Sequence, residues 1–239
     1  MTDGRPAVSD EAVQIRWARA RQRPLLPPGP RGWLVAVEGP IGVGKSTVAR
    51  RLADHFRSGL LLEVVEENPF LKDFYRNIRA RAFPTQVFFL LSRHRQQQSI
   101  AGRLAVGEDI MADYMFAKDR LFAGLTLDDA ELALYEAVYT LIAPQVPKPD
   151  AIVCLRAPLA SLLQRIAERR RAFERGLTPA YLSRLIAAYD AFFEGVVDTP
   201  VITVDAERVD PRRDRDLTAI ARALTTVRRA ESAGEETGR

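Results

Sequence analysis

A chain of 239 residues that is 47% hydrophobic and 28% charged can bury one large core, and its formal net charge of +4 does not demand a polyanionic partner. It contains no apolar run near the ~20 residues that cross a bilayer, no apolar signal core, and early acids at Asp3, Asp10 and Glu11 that argue against a transit peptide. Its single cysteine, Cys154, excludes an internal disulfide, so the expectation is a cytoplasmic α/β protein with no nucleic-acid or membrane partner.

Residues 1–30 end in a proline-rich stretch, Arg23 to Pro30, and are expected to be a flexible extension in which Glu11 to Arg21 could form a short helix. The ordered domain is expected over 31–228, followed by a disordered tail at 229–239. Leu34 to Val37 is a buried-strand pattern and Val48 to Phe56 an amphipathic helix. Between them, Gly39-Pro40-Ile41-Gly42-Val43-Gly44-Lys45-Ser46-Thr47 fits the phosphate-loop pattern G-x-x-x-x-G-K-[ST], in the strand-to-helix context that gives the pattern its meaning. The glycines let backbone wrap an anion, Lys45 supplies charge for the outer phosphates of a nucleoside triphosphate, and the Ser46 hydroxyl can hold Mg²⁺.

Leu60 to Val65 reads as a second strand, with carboxylates at Glu63, Glu66 and Glu67 near its end. Ligands of an open parallel sheet sit outside the carboxyl ends of strands, so one of the three can take or orient a hydroxyl proton. Phe83 to Gln98 is helical, with Pro84 suited to its first turn and Gln86 and Arg93 two turns apart on one face. A Gln amide carries both donor and acceptor, which suits the edge of a nucleobase. Glu108 to Asp113 is a short strand ending in an acid where phosphate-loop enzymes often place a Mg²⁺ carboxylate. A helix follows over Leu127 to Ala143, then a strand over Ala151 to Leu155 that contains Cys154 as a small buried residue. Arg165 and Arg169 share a helix face and Arg171 lies just beyond. Such a run is ordinarily a solvated face, but beside a phosphate loop it fits a mobile cover whose guanidiniums meet the transferring phosphoryl group. A helix over Tyr181 to Val197, a strand over Val201 to Asp205 and a helix over Leu217 to Val227 complete five strands alternating with helices. A doubly wound, mostly parallel, five-stranded α/β sheet flanked by helices is expected, in the order 2-3-1-4-5 by analogy with nucleotide kinases.

From Trp33 to Val227 the chain resembles the deoxynucleoside kinases, in particular the bacterial deoxyadenosine/deoxyguanosine kinase group. The carriers are GPIGVGKST at 39–47, EVVEENPFLKDFY at 63–75, the Gln86 to Arg93 helix, DYMFAKD at 113–119 and RIAERRRAFERG at 165–176. The resemblance implies ATP- and Mg²⁺-dependent phosphorylation of a purine 2′-deoxynucleoside at its 5′-hydroxyl, in nucleotide salvage, by a homodimer. It implies that Glu63 is the general base, that Tyr75 and Glu174 hold the 3′-hydroxyl, and that Gln86 pairs with the base beside Arg93 and Asp119. Arg165, Arg169 and Arg171 match the arginines of the lid, Ser46 and Asp113 the metal site. Where the family carries an arginine and a serine after its acid, this chain has Tyr114 and Met115, so Lys118 or a lid arginine is expected to supply the missing charge. A thymidylate-kinase-type nucleoside monophosphate kinase and a catalytically inactive phosphate-loop protein are the alternatives.

Overall fold

The computed structural model describes residues 11–18 and 31–236. At its centre β2 (Leu34–Glu38) is buried at every position, as a strand covered on both faces must be. With β3 (Gly59–Leu61), β4 (Ile110–Ala112), β5 (Ala151–Arg156) and β6 (Val201–Asp205) it forms a parallel array in the order β6-β5-β2-β4-β3. That is the expected order 2-3-1-4-5. The strand count needs correcting, because β1 (Val13–Arg16) is a sixth strand that pairs antiparallel with β6, Val13 opposite Val204. The sheet is therefore mixed and six-stranded, and part of the segment expected to be a short helix is a strand. An unpaired β6 edge would expose a row of backbone donors and acceptors, and β1 covers it while burying Ala12 and Val13. The other residues of 1–30, and 237–239, lie outside the described residues.

Eight helices are described: α1 (Lys45–Phe56), α2 (Leu71–Phe74), α3 (Ile78–Ala105), α4 (Lys118–Thr126), α5 (Asp129–Ile142), α6 (Leu159–Arg169), α7 (Pro179–Gly195) and α8 (Asp214–Glu236). Helix α3 starts before the expected Phe83 because the Asn77 side chain accepts from Ala80 N at 3.2 Å, so Pro84 falls inside the helix instead of in its first turn. Helix α5 opens on a capping box in which Asp128 and Glu131 bond each other's backbone N–H. Helix α4 escaped the periodicity because Lys118, Asp119 and Thr126 lie on its buried side, where an amphipathic pattern calls for apolar residues. Helix α8 runs on to Glu236, into the stretch expected as a disordered tail.

Helices α1 and α8 pack together on one layer, and α4 and α6 both pack on α7. The strand order then decides the site. Strands β2, β4 and β3 are neighbours, with Ala36, Ala112 and Leu61 level in the register. The loops that leave their carboxyl ends therefore emerge side by side, with that of β4 in the middle.

Candidate active site

The loop after β2 turns on Gly39 and Gly42, whose φ angles of 144° and 89° are ones that side chains rarely adopt. A Cβ on Gly39 would lie 2.4 Å from Leu155 O of β5, and one on Gly42 would lie 2.8 Å from Ile166 Cγ1 of α6. Close approach of strand and helix thus requires glycine at both positions. With Gly44 as its N-cap, α1 begins at Lys45, Ser46 and Thr47, so the positive end of the helix opens onto the loop. Lys45 Nζ donates to Gly39 O at 2.7 Å and Pro40 O at 3.2 Å, which curls the side chain back over the loop. Its pKa is lowered to about 8, chiefly by burial and then by the Lys118 charge, with Glu38, Glu63 and Asp113 opposing.

Asp113, just past β4, joins the loops on either side. Its Oδ2 accepts from Ser46 Oγ at 2.5 Å and its Oδ1 from Glu63 N at 2.7 Å. Glu63 stands two residues past the end of β3, beyond the shorter strand that the structure has in place of Leu60 to Val65. Its Oε1 accepts from Arg93 Nε at 2.9 Å and also from Nη2 of the same guanidinium, while its Oε2 accepts from Lys118 Nζ at 2.7 Å. Burial opposes the Glu63 charge, yet Arg93 and Lys118 together hold its carboxyl well below the usual carboxylate range. Arg93 also pairs through Nη1 with Asp119, and its guanidinium lies 4.4 Å from the Phe89 ring centroid. Both Asp119 and Arg93 are nearly inaccessible to solvent. Gln86, on the same side of α3, donates to Thr126 Oγ1 at 3.1 Å. The structure thus gathers Ser46, Asp113, Glu63, Arg93, Lys118 and Asp119 into one chain of contacts, with Gln86 and Thr126 linking α3 to α4 nearby.

Tyr114, which stands in place of the expected arginine, is fully buried, and its hydroxyl donates to Gln96 Oε1 at 2.8 Å. The Lys118 ammonium sits 5.4 Å from the Tyr114 ring centroid while it reaches Glu63. Of the two expected sources of replacement charge, Lys118 is the one that reaches the carboxylate.

The arginine-rich segment divides differently from the expected convergence. Arg165 donates to Val43 O at 3.1 Å and to Ala206 O at 2.7 Å, pinning the phosphate loop to the end of β6. Arg169 makes a two-pronged pair with buried Glu174, and Arg171, past the end of α6, lies 4.0 Å from Glu66 in an exposed contact. Each guanidinium has a different partner. Tyr75 packs edge-on to Tyr181, and burial followed by the Tyr181, Glu174 and Glu63 groups raises its pKa well above the usual value, against a lowering by Arg169. Gly176 meets the Tyr75 backbone, which brings the turn carrying Glu174 against it. Burial likewise pushes the Cys154 thiol up to about 12, which suits an inert strand residue.

Ser46 and Asp113 offer a hydroxyl and a carboxylate oxygen in contact, hard donors of the kind Mg²⁺ takes when water and phosphate oxygens complete its shell. Three residues with clear roles in this geometry were missed from the sequence. Thr126 meets Gln86, and Asn68 donates to Thr85 O at 3.1 Å while accepting from Phe70 N, fixing the loop after β3 on α3. Glu38, fully buried at the head of the phosphate loop, is the third. Its one sequence signal was an acid at the end of an otherwise apolar strand.

The family model for deoxynucleoside kinase matches residues 35–227. The deoxyguanosine kinase of Bacillus subtilis is 37% identical over 181 residues, 74% of this chain and 87% of that one. A deoxyadenosine kinase of Dictyostelium discoideum is 33% identical over 187 residues, 76% of each chain. Among solved structures, the deoxyadenosine kinase of M. mycoides with dCMP and dCDP bound superposes with a TM-score of 0.72 at 26% identity, covering 81% of this chain and 99% of that one. The match begins inside β2 and ends in α8, enclosing the three adjacent loops and the helices that face them. The chain belongs to the deoxynucleoside kinase family, and its chemistry is phosphoryl transfer to a deoxynucleoside.

Proposed function

We propose that the protein transfers the γ-phosphoryl group of ATP to the 5′-hydroxyl of a purine 2′-deoxynucleoside. The observation that carries this reading is the shared Asp113 carboxylate, which bonds Ser46 of the phosphate loop on one oxygen and the Glu63 backbone on the other. It sets the partly buried Glu63 carboxylate, kept ionised by Arg93 and Lys118, next to the place where a triphosphate would end. Lys45 and the amides of residues 39–47 would bind the β and γ phosphates. Ser46 and Asp113 would hold Mg²⁺, which offsets phosphate charge when bound. Glu63 orients the 5′-hydroxyl and takes its proton as the oxygen–phosphorus bond forms and the bond to the β-phosphate oxygen breaks. For that, the hydroxyl displaces one of the two cations now on Glu63. A loose, in-line transition state needs such an orienting group more than a strong base.

Arg169 and Arg171 serve the transferring group once a triphosphate draws them from Glu174 and Glu66, and Arg165 stays at the loop. Tyr75 and Glu174 hold the 3′-hydroxyl, and Gln86 with the Arg93–Asp119 pair reads a purine edge. Residues 31–228 form the catalytic domain. Deoxyguanosine or deoxyadenosine as acceptor agrees with the names of the relatives above. We place the enzyme in the cytoplasm, in nucleotide salvage, as a homodimer. Leu134 and Leu141, two turns apart on α5, and Leu91 on α3 are exposed large apolar residues suited to an interface. No helix among the described residues is long and apolar enough to span a membrane.

The deciding experiment assays the four deoxynucleosides and deoxyadenosine monophosphate as acceptors with ATP, for the wild-type protein and Glu63→Gln. Purine deoxynucleosides should be phosphorylated, and the variant should lose most turnover while still binding ATP. Preferential use of the monophosphate, or full turnover in the variant, would overturn the reading.

A further inference from the structure

Glu38 is the last residue of β2, and no part of it reaches solvent. Its two carboxylate oxygens meet three hydrogen-bond donors from three elements. Oε2 accepts from Gly39 N at 3.1 Å and from the Tyr189 hydroxyl of α7 at 3.1 Å, and Oε1 accepts from Met115 N at 2.8 Å. Gly39 opens the phosphate loop, and its carbonyl holds Lys45. Met115 stands between Asp113 and the start of α4, which carries Lys118 and Asp119. Helix α7 follows the turn that carries Glu174.

We infer that Glu38 is a positioning residue that fixes the phosphate loop against the Asp113–Asp119 segment and so sets the distance between donor and acceptor, an inference that rests on the function proposed above. An ionised carboxylate is the side chain this place requires. All three partners donate, and only a group that accepts at both oxygens satisfies them. An amide of the same shape must turn its NH₂ toward either the Gly39 or the Met115 N–H, leaving a buried backbone donor against another donor. The carboxylate also lies close enough to Lys45 to raise its pKa, so the charge has a counterpart across the loop.

The test compares wild type with Glu38→Gln and Tyr189→Phe. In Glu38→Gln, kcat should fall by about 10²-fold, the scale of a roughly 1 Å misplacement of reacting groups. The KM for ATP and for the deoxynucleoside, and the binding of each alone, should change only a few-fold, since each half of the site keeps its own ligands. Tyr189→Phe, which removes one bond and disturbs no charge, should lower kcat a few-fold in the same pattern. Hydrogen exchange at the Gly39 and Met115 amides supplies a readout independent of turnover, and whichever of the two the new NH₂ faces should lose protection in Glu38→Gln. Unchanged kcat in folded Glu38→Gln, or a loss confined to one substrate's binding, overturns the inference. If Glu38→Gln does not fold, Tyr189→Phe decides alone: wild-type kcat rejects the inference. If the wild-type enzyme phosphorylates no deoxynucleoside, the proposed function falls, and wild-type protection at both amides in Glu38→Gln then rejects the positioning role on its own.

Discussion

Lys118 lies on the buried side of helix α4 and yet places its ammonium 2.7 Å from Glu63 Oε2, so its desolvation is offset by an ion pair inside the site. Replacing it with alanine should lower kcat by about 10²-fold, in line with loss of one preorganised charge, and leave ATP affinity close to wild type. Steady-state kinetics with varied ATP checks this, and unaltered turnover would remove Lys118 from the mechanism. Lys45 predicts a pH effect of definite sign. With its pKa lowered to about 8 in the free enzyme, the ammonium is lost as pH rises through that value, so kcat/KM for ATP should decline on the alkaline side near pH 8. Bound phosphate raises the same pKa, so kcat should hold to higher pH. Glu63 predicts the opposite limb, in stability. Its folded-state pKa lies far below the usual 4.5, so the unfolded chain binds more protons between the two values. The stability it contributes is complete above about pH 4.5 and is lost as pH falls toward the folded value. Urea unfolding below pH 4.5 should therefore show a shallower acid loss in Glu63→Gln than in the wild type.

At the scale of elements, the phosphate loop depends on its neighbours as much as on its own sequence. Gly42 combines a φ of 89° with contact against Ile166 of α6, and the Arg165 guanidinium from that helix bonds Val43 O in the same loop. A Gly42→Ala change must move α6 or the loop and also hold an unfavourable backbone angle, at a cost on the order of 1–3 kcal/mol. Thermal unfolding should show the loss, and nucleotide binding should weaken with it because the amides no longer converge. An alanine variant with wild-type stability and affinity would mean that α6 yields freely there. The three buried polar residues of α4 are part of the same lesson. An element that carries polar groups into an active site gives up the apolar stripe by which a helix is recognised, so α4 became visible only when its contacts with α3 and α7 were seen.

At the scale of the molecule, the exposed leucines of α5 give the proposed dimer a direct test. Leu134→Glu together with Leu141→Glu should convert a dimer to a monomer in analytical ultracentrifugation without unfolding it, since both side chains are solvent-facing in the single chain. An unchanged sedimentation coefficient would reject a dimer built on this face of α5. Five strands, the phosphate loop and the acids after β3 and β4 were legible in the sequence, because apolar runs, glycine spacing and strand-end position are local signals, whereas the strand order was expected only by analogy with nucleotide kinases. Glu63 could be preferred to Glu66 and Glu67 only through family likeness, and it is Glu63 that meets Arg93 and Lys118, while Glu66 is exposed and only loosely beside Arg171. The sequence by itself determined the crossover fold and its anion-binding turn, since both are written in periodicity and backbone permissiveness over short spans. Only the tertiary structure decided that β1 closes the β6 edge, that Lys118 reaches Glu63, that the three arginines take separate partners, and that Glu38 ties three elements together. Each of these joins residues far apart in the chain, and which distant donor meets which acceptor depends on strand order and helix packing, which no local spacing encodes.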